Sequence, residues 1–249
     1  MKTFNRSLRA GCVVAVLLAL AGPASAVPTF QTYIEGATAG NFGADVDTWL
    51  SSSPSFNLVL VGAYQGNITS LTNGTLVVSV PEGQTGTLTV DSLAPITLGA
   101  NEDVLTNVLG NDAFDTKTSP PFPLSDSHPG PETFNEHYPF QAGVSDFILF
   151  EVGSFANLGP IHNYSADTGT ITTEGSGEEK VFPVTVSGFS WAHFDLFGEV
   201  GKTTGSGTTY SWEISPGSHD SSYIPAPGAL LLVGMGSLLV GWARRRKLV

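Results

Sequence analysis

The motif FSWAHFDLF (189–197) places a histidine and an aspartate two residues apart within an aromatic run. Alternate residues of an extended strand share one face, so His193 and Asp195 are expected to lie side by side. An imidazole beside a carboxylate can bind a metal ion or act as a His–Asp dyad. Catalysis would also need a nucleophile, and the chain contains no G-x-S-x-G elbow. We therefore expect an ordinary pair on a half-exposed sheet face, surrounded by aromatic side chains.

Two further stretches carry side chains of the kinds that bind metal ions. An acidic segment offers carboxylate and amide oxygens that suit Ca²⁺ but lacks the EF-hand pattern: Asn101, Glu102, Asp103, Asn111, Asp112 and Asp115. A second series has donors that suit zinc, although nearby prolines oppose the helix that H-E-x-x-H sites require: His128, Glu132, Glu136 and His137. Because Asp and Asn also stabilise turns without a metal, we predict no metal ligands and no cofactor, and Ca²⁺ is the ion that the sequence leaves possible.

Aromatic and acidic side chains could also serve a carbohydrate site. The residues able to stack on sugar rings are Trp49, Tyr64, Trp191 and Trp212. In a β domain such residues more often belong to the core, and a glycosidase pair is defined by a separation in space that sequence does not supply. We predict no catalytic residues. A carbohydrate- or calcium-binding surface module is the alternative function, and an exopolysaccharide-active enzyme is less favoured.

The N-terminus has the three-part organisation of a secretory signal peptide. Basic residues without acids precede the apolar run CVVAVLLAL (12–20), which is shorter than the roughly 20 residues that span a bilayer. Ala24 and Ala26 then supply the small residues of a cleavage site. We predict a signal peptide over residues 1–26. It removes the only cysteine, so the mature chain has no disulfide and no thiol chemistry.

The C-terminus, IPAPGALLLVGMGSLLVGWARRRKLV (224–249), combines a Pro-x-Pro, an apolar run and terminal cations. The uncharged run over residues 228–243 would be about 24 Å long as a helix, slightly short of a hydrocarbon core. The basic residues that follow favour a cytoplasmic end, because positive charge beside an apolar span stays inside: Arg244, Arg245 and Arg246. The segment is therefore predicted to be a transmembrane helix that holds an exported body.

The order of these three parts resembles the PEP-CTERM sorting signal of Gram-negative bacteria. Pro225 and Pro227 match the Pro-x-Pro, and Ala226 stands where that signal usually has Glu. The resemblance implies recognition by an exosortase, cleavage near the Pro-x-Pro, and a transient stay at the inner membrane. It also implies delivery to the cell surface or the extracellular matrix.

The charge of the body differs from that of the whole chain, which is −12. Seven of the ten basic residues lie in the two end segments, so residues 27–224 keep three lysines against all 22 acids, a net charge of −19. Nucleic acid binding needs cations to replace counterions on phosphate, and this composition excludes it. Extracellular polysaccharide is a candidate partner if divalent cations bridge the two acidic polymers.

Short apolar or alternating runs, separated by turn residues, predict an all-β body over residues 27–215. The ten candidate strands are residues 29–35, 47–51, 56–64, 75–80, 86–90, 146–152, 169–174, 180–188, 190–197 and 208–214. Their number and spacing favour an antiparallel β-sandwich, with a barrel-like domain as the alternative. Asn73-Gly74 suits a tight hairpin, and Pro183 should confine its segment to an edge strand, a bulge or two shorter strands.

Two connecting segments carry further predictions. Residues 118–140 contain six prolines but also aromatic residues, so this excursion should pack on the body rather than form a free linker. Residues 216–223 are polar and are predicted to be a flexible spacer before the sorting segment at residues 224–249.

The body itself is similar to the exported bacterial proteins called choice-of-anchor N, on the stretches at residues 29–40, 47–64 and 184–199. That resemblance implies surface delivery and no established chemistry. Together these features predict a non-enzymatic surface or matrix protein with a structural or adhesive role.

Overall fold

The computed structural model describes residues 27–43, 45–95, 137–139 and 144–226, with only the backbone for residues 45 and 46. Four predicted features lie wholly or mostly outside the described residues: the signal peptide with Ala24 and Ala26, the acidic segment 101–115, the excursion 118–140 except residues 137–139, and the sorting segment from residue 227 onwards. Within the described part of the chain no helix has the length and apolar character needed to cross a bilayer.

The described chain is all-β, as the sequence predicts, with one short 3₁₀ helix at Gly217–His219. The strands are β1 (Phe30–Ile34), β2 (Thr38–Phe42), β3 (Asp45–Ser51), β4 (Ser55–Tyr64), β5 (Ile68–Pro81), β6 (Thr87–Val90), β7 (Ser145–Phe155), β8 (Gly159–Ser165), β9 (Thr170–Ser187), β10 (Ala192–Thr204), β11 (Gly207–Ile214) and β12 (Ser221–Tyr223). β2, β8 and β12 have no counterpart among the ten predicted strands, because they are short or rich in polar residues.

The strands form two sheets. One sheet has the order β1-β4-β9-β6, with β8 also paired to β9, and the other has the order β2-β3-β12-β10-β5-β7, with β11 also paired to β10. All the pairings are antiparallel except that of β12 with β3, which is parallel. Neither sheet closes into a barrel among the described residues, so the barrel-like alternative is wrong.

Both sheets contribute to one hydrophobic core. Phe30, Leu58 and Leu60 enter it from the first sheet, and Leu76 and Phe194 enter it from the second. Each is essentially inaccessible to solvent, and full burial of such a side chain contributes about 1.5–3 kcal/mol to folding. This shared core fixes β10, the strand that carries the His–Asp motif, at the centre of the second sheet.

The predicted hairpin at Asn73-Gly74 is wrong, because β5 continues through both residues. Asn73 adopts a φ of 54°, and the pairing of β5 shifts register around Gly74 on the β7 side. The Asn73 side chain donates to Glu199 Oε2 at 3.3 Å. The left-handed residue is therefore a bulge inside a long strand, because β7 and β10 pair with β5 on both sides of it.

The prediction for Pro183 is also wrong, since β9 is a continuous interior strand. Pro183 lies opposite Asn57 of β4, and its carbonyl oxygen accepts the Asp91 amide at 2.8 Å on the β6 side. The N–H and C=O groups of a strand residue point the same way, so the missing N–H costs no bond to β4. The proline is tolerated because the sheet uses only its carbonyl oxygen, as an acceptor, at this position.

The predicted boundary at residue 215 and the flexible spacer over 216–223 are wrong. This stretch contains the 3₁₀ helix and β12, and the side chains of residues 219–223 are buried. The Trp49 amide donates to the Asp220 carbonyl at 3.2 Å, and the Ile224 amide donates to the Ser51 carbonyl at 2.8 Å. Its polar side chains are internal hydrogen-bonding groups, so their polarity did not indicate a mobile linker.

Candidate metal centre

β10 places the two residues of the FSWAHFDLF motif on one face, as its strand period requires. His193 and Asp195 are both fully buried, with 0% exposure of each side chain. The prediction of a half-exposed face is therefore wrong, because the side chains of His137 and Asp220 lie against this face of β10. The motif lies inside the protein rather than at a solvent-exposed sheet surface.

Two further residues come to the same point from distant parts of the chain. Asp220 lies between the 3₁₀ helix and β12, and its side chain is fully buried. His137 precedes β7 and retains 16% side-chain exposure. Each of the four residues can offer one ligand atom, and these atoms all lie within 4.8 Å of one another. We call this group the His/Asp cluster.

The distances within the His/Asp cluster are short and similar. His137 Nε2 lies 3.2 Å from His193 Nε2, 3.2 Å from Asp195 Oδ1 and 3.4 Å from Asp220 Oδ2. His193 Nε2 lies 3.2 Å from Asp195 Oδ2 and 3.6 Å from Asp220 Oδ2. The four side chains therefore converge on one small volume instead of forming two separate pairs.

Hydroxyl groups orient two members of the cluster. His193 lies opposite Ser222 in the sheet, and its Nδ1 is 2.7 Å from Ser222 Oγ. Ser215 Oγ donates to Asp195 Oδ1 at 3.1 Å and accepts the Leu196 amide at 3.1 Å. Such outer contacts hold an imidazole and a carboxylate in a fixed direction.

The ionisation of Asp195 reflects two opposing effects. Burial disfavours the carboxylate, but the His137 and His193 imidazoles outweigh burial and hold the pKa of Asp195 below its usual value. Asp195 is therefore an anion in this setting. A buried carboxylate needs a neighbouring positive charge, because removing it from water without one is very costly.

Three aromatic side chains, which we call the aromatic cover, contact one another, and two of them are close in sequence to cluster residues. The ring of Phe42 lies 5.4 Å from that of Tyr138 and 5.6 Å from that of Trp191, both edge-on. Tyr138 follows His137 directly, and Trp191 lies two residues before His193, just before the start of β10. The low exposure of the four members of the cluster leaves little access for a substrate.

His219 is adjacent to Asp220 but is not a member of the cluster. Its Nε2 lies 3.0 Å from Asn163 Oδ1 and its Nδ1 lies 2.8 Å from Ser218 Oγ. Burial lowers the pKa of His219 to about 4, opposed by the charge of Asp167, so the ring is neutral near pH 7. Both its nitrogens are engaged away from the cluster.

The other predicted candidates have different positions. Trp49 belongs to a second core cluster with Tyr33 and Tyr164, while Trp212 stacks on Phe197 with a centroid distance of 4.9 Å. Tyr64 donates to the Phe155 carbonyl at 2.8 Å. The four predicted sugar-stacking residues therefore occupy separate environments and do not form one platform. His128, Glu132 and Glu136 lie outside the described residues.

Sequence reasoning missed Asp220. It lies in the polar stretch that was predicted to be a spacer, and its contribution depends on the parallel pairing of β12 with β3. A usable signal was the HD dipeptide at residues 219–220, which concentrates two potential ligands in a stretch that is otherwise small and polar. The sequence pattern groups His137 with His128, whereas its partners in the cluster are 56 or more residues away.

No known family model, curated protein or solved structure matches this chain.

Proposed function

We propose that this chain is an exported bacterial protein of the cell surface or extracellular matrix, with a structural or adhesive role and no enzymatic activity. We infer that its body is an antiparallel β-sandwich, in which the two sheets pack face to face. The shared core, with large apolar side chains from β1, β4, β5 and β10, supports this architecture.

The observation that carries the non-enzymatic role is the enclosure of the His/Asp cluster. Three of its four side chains have 0% exposure and the fourth has 16%. A catalytic group must reach a substrate, and a catalytic metal keeps an open coordination position. The closed cluster therefore favours a role in the stability of the body.

The delivery route rests on the two ends of the chain. Residues 1–26 direct export, and residues 224–249 hold the body at the inner membrane until an exosortase-type enzyme cleaves near Pro225. The body reaches this point without a spacer: Pro225 and Ala226 line a groove of about 310 Å³ beside Leu50 and Ser51. Ala226 is exposed and Pro225 is half-buried, so a processing enzyme would act close to the sheet.

Cell fractionation tests the proposed location. An epitope inserted at Gly205, in the exposed turn between β10 and β11, leaves both processed ends unchanged. We expect the tagged protein in the surface or matrix fraction, beginning at Val27 and lacking the residues that follow the cleavage point. Mature protein in the cytoplasm would contradict export, and an intact C-terminus at Val249 would contradict cleavage.

A variant that lacks residues 228–249 tests the sorting step. We expect it to be exported and released without retention at the inner membrane, while the full-length chain accumulates there when the processing enzyme is absent. Equal distribution of the two chains would exclude a sorting role for the C-terminal segment.

A further inference from the structure

The His/Asp cluster has the dimensions of a four-coordinate metal site. A tetrahedral Zn²⁺ ion with ligands at about 2.0–2.1 Å separates neighbouring ligand atoms by about 3.3 Å. Five separations between nitrogen and oxygen atoms of the cluster run from 3.2 to 3.6 Å, and one ligand atom from each residue lies within 4.8 Å of the other three. The five shorter separations fit the ligand spacing of one zinc ion.

The contact between the two imidazoles favours a metal ion over protons at this point. His137 Nε2 and His193 Nε2 are only 3.2 Å apart. Two N–H groups cannot face each other at that distance, because both are donors carrying positive charge. One metal ion uses both lone pairs without this conflict.

The hydroxyl groups described around the cluster contact His193 Nδ1 and Asp195 Oδ1. If Ser222 Oγ accepts from His193 Nδ1, the lone pair of Nε2 points into the cluster. Asp195 Oδ2 is fully buried and accepts no hydrogen bond from any residue that the structure describes, although it lies 3.2 Å from His193 Nε2. A buried carboxylate oxygen of this kind is expected to bind a cation.

We propose that His137, His193, Asp195 and Asp220 bind one Zn²⁺ ion in a closed structural site. The two imidazole ligands favour zinc over Ca²⁺, which takes six to eight oxygen ligands at longer distances. The ion joins β10 to the residues before β7 and to the residues before β12. It thus fastens the segment that leads to the Pro-x-Pro at residues 225–227 onto the body.

Metal analysis of the full-length chain, purified in detergent without chelators, tests this proposal. We expect about one zinc per chain, and replacement by Co²⁺ should give the visible spectrum of a tetrahedral centre. X-ray absorption should show only nitrogen and oxygen ligands at about 2.0–2.1 Å. Absence of bound metal, no uptake of added Zn²⁺, or preferential binding of Ca²⁺ would overturn the assignment.

Two histidine variants provide the matched comparison. His137→Ala should weaken Zn²⁺ binding by about 100-fold or more, since loss of an outer partner alone costs about 10–100-fold. His162→Ala also removes a histidine beside a carboxylate and should leave zinc affinity unchanged. His137 is partly exposed, so its variant should fold, as circular dichroism would verify. If it does not, Asp220→Asn serves as the second variant. Wild-type zinc affinity in the folded variant would disprove the site.

Discussion

In the part of the chain that the structure describes, a histidine meets carboxylates in two places, and these places differ in burial. At the surface, His162 Nδ1 lies 2.9 Å from Glu179 Oε1, with side-chain exposures of 45% and 23%. In the His/Asp cluster, two imidazoles and two carboxylates meet at similar distances with almost no exposure. The same side-chain chemistry thus occurs in a solvated pair and in an enclosed set of four.

Exposure to solvent determines how much each group of side chains contributes to stability. Water and salt screen the His162–Glu179 pair, so it contributes little to stability, about 0–1 kcal/mol in comparable cases. Inside the protein, charges interact strongly and each must be compensated locally. The surface pair is therefore dispensable, whereas the buried cluster should control both metal binding and stability.

The largest contrast is expected from removing one charge at each place. Asp195→Asn should lower the free energy of unfolding of the zinc-loaded protein by about 3–5 kcal/mol, because it removes one charge from a buried group of interacting charges. Glu179→Gln should lower it by less than about 1 kcal/mol. Denaturant titration monitored by tryptophan fluorescence would measure both free energies of unfolding. Equal losses in the two variants would show that the buried cluster and the surface pair contribute equally to stability.

Removal of the metal should lower the stability that depends on the His/Asp cluster and should not affect the His162–Glu179 pair. At a free Zn²⁺ concentration about 100 times the Kd, binding stabilises the native state by about 2.7 kcal/mol. For a domain of this size that corresponds to about 5–10 °C in Tm. Calorimetry with and without a chelator should show this shift in wild type and in His162→Ala, but not in His137→Ala. A shift in all three proteins would mean that the metal binds outside the His/Asp cluster.

The orientation of His193 provides a smaller test. Ser222→Ala removes the contact to His193 Nδ1 and should weaken Zn²⁺ binding by about 10–100-fold with unchanged stoichiometry. Ser221→Ala is the control, because the hydroxyl of Ser221 lies 2.9 Å from Thr32 Oγ1. Competition with a zinc-binding dye would measure both affinities. Identical values for the two variants would mean that Ser222 does not position the imidazole.

The smallest expected effect concerns the aromatic cover. A Cβ on Gly43 would overlap the Tyr138 ring, whereas one on Gly36 would meet nothing within 4 Å. Both glycines have positive φ, 61° and 78°, so both alanine variants lose about 1–3 kcal/mol from backbone strain. Only Gly43→Ala should also weaken Zn²⁺ binding, by about 10-fold, because it displaces the neighbour of His137. Equal zinc affinities would show that the cover does not position this ligand.

Much of the strand pattern was predictable from the sequence. Runs such as residues 56–64 and 146–152 alternate or cluster apolar residues and became β4 and β7. The errors occurred where partners on both sides override a local signal. Asn73-Gly74 favours a turn in isolation, but pairing with β7 and β10 keeps β5 extended, and Pro183 is tolerated where no donor is used.

The candidate site was predictable only in part. The spacing of His193 and Asp195 placed both on one strand face, and this is confirmed by their joint membership of the cluster. The sequence pattern indicates His137 as a zinc donor but with the wrong neighbours, and it does not indicate Asp220. Pairings between distant segments cannot be read from local spacing, so the set of four could not be assembled from sequence.

The sequence by itself determined the all-β character of the body, the acidity of that body and the face shared by His193 and Asp195. These follow from composition and from the two-residue period of a strand, which are local properties. The tertiary structure alone decided the burial of that face, the pairing of β12 with β3 and the meeting of His137 with Asp220. The physical reason is that burial and long-range pairing depend on how the two sheets share one core, which no local stretch of the chain specifies.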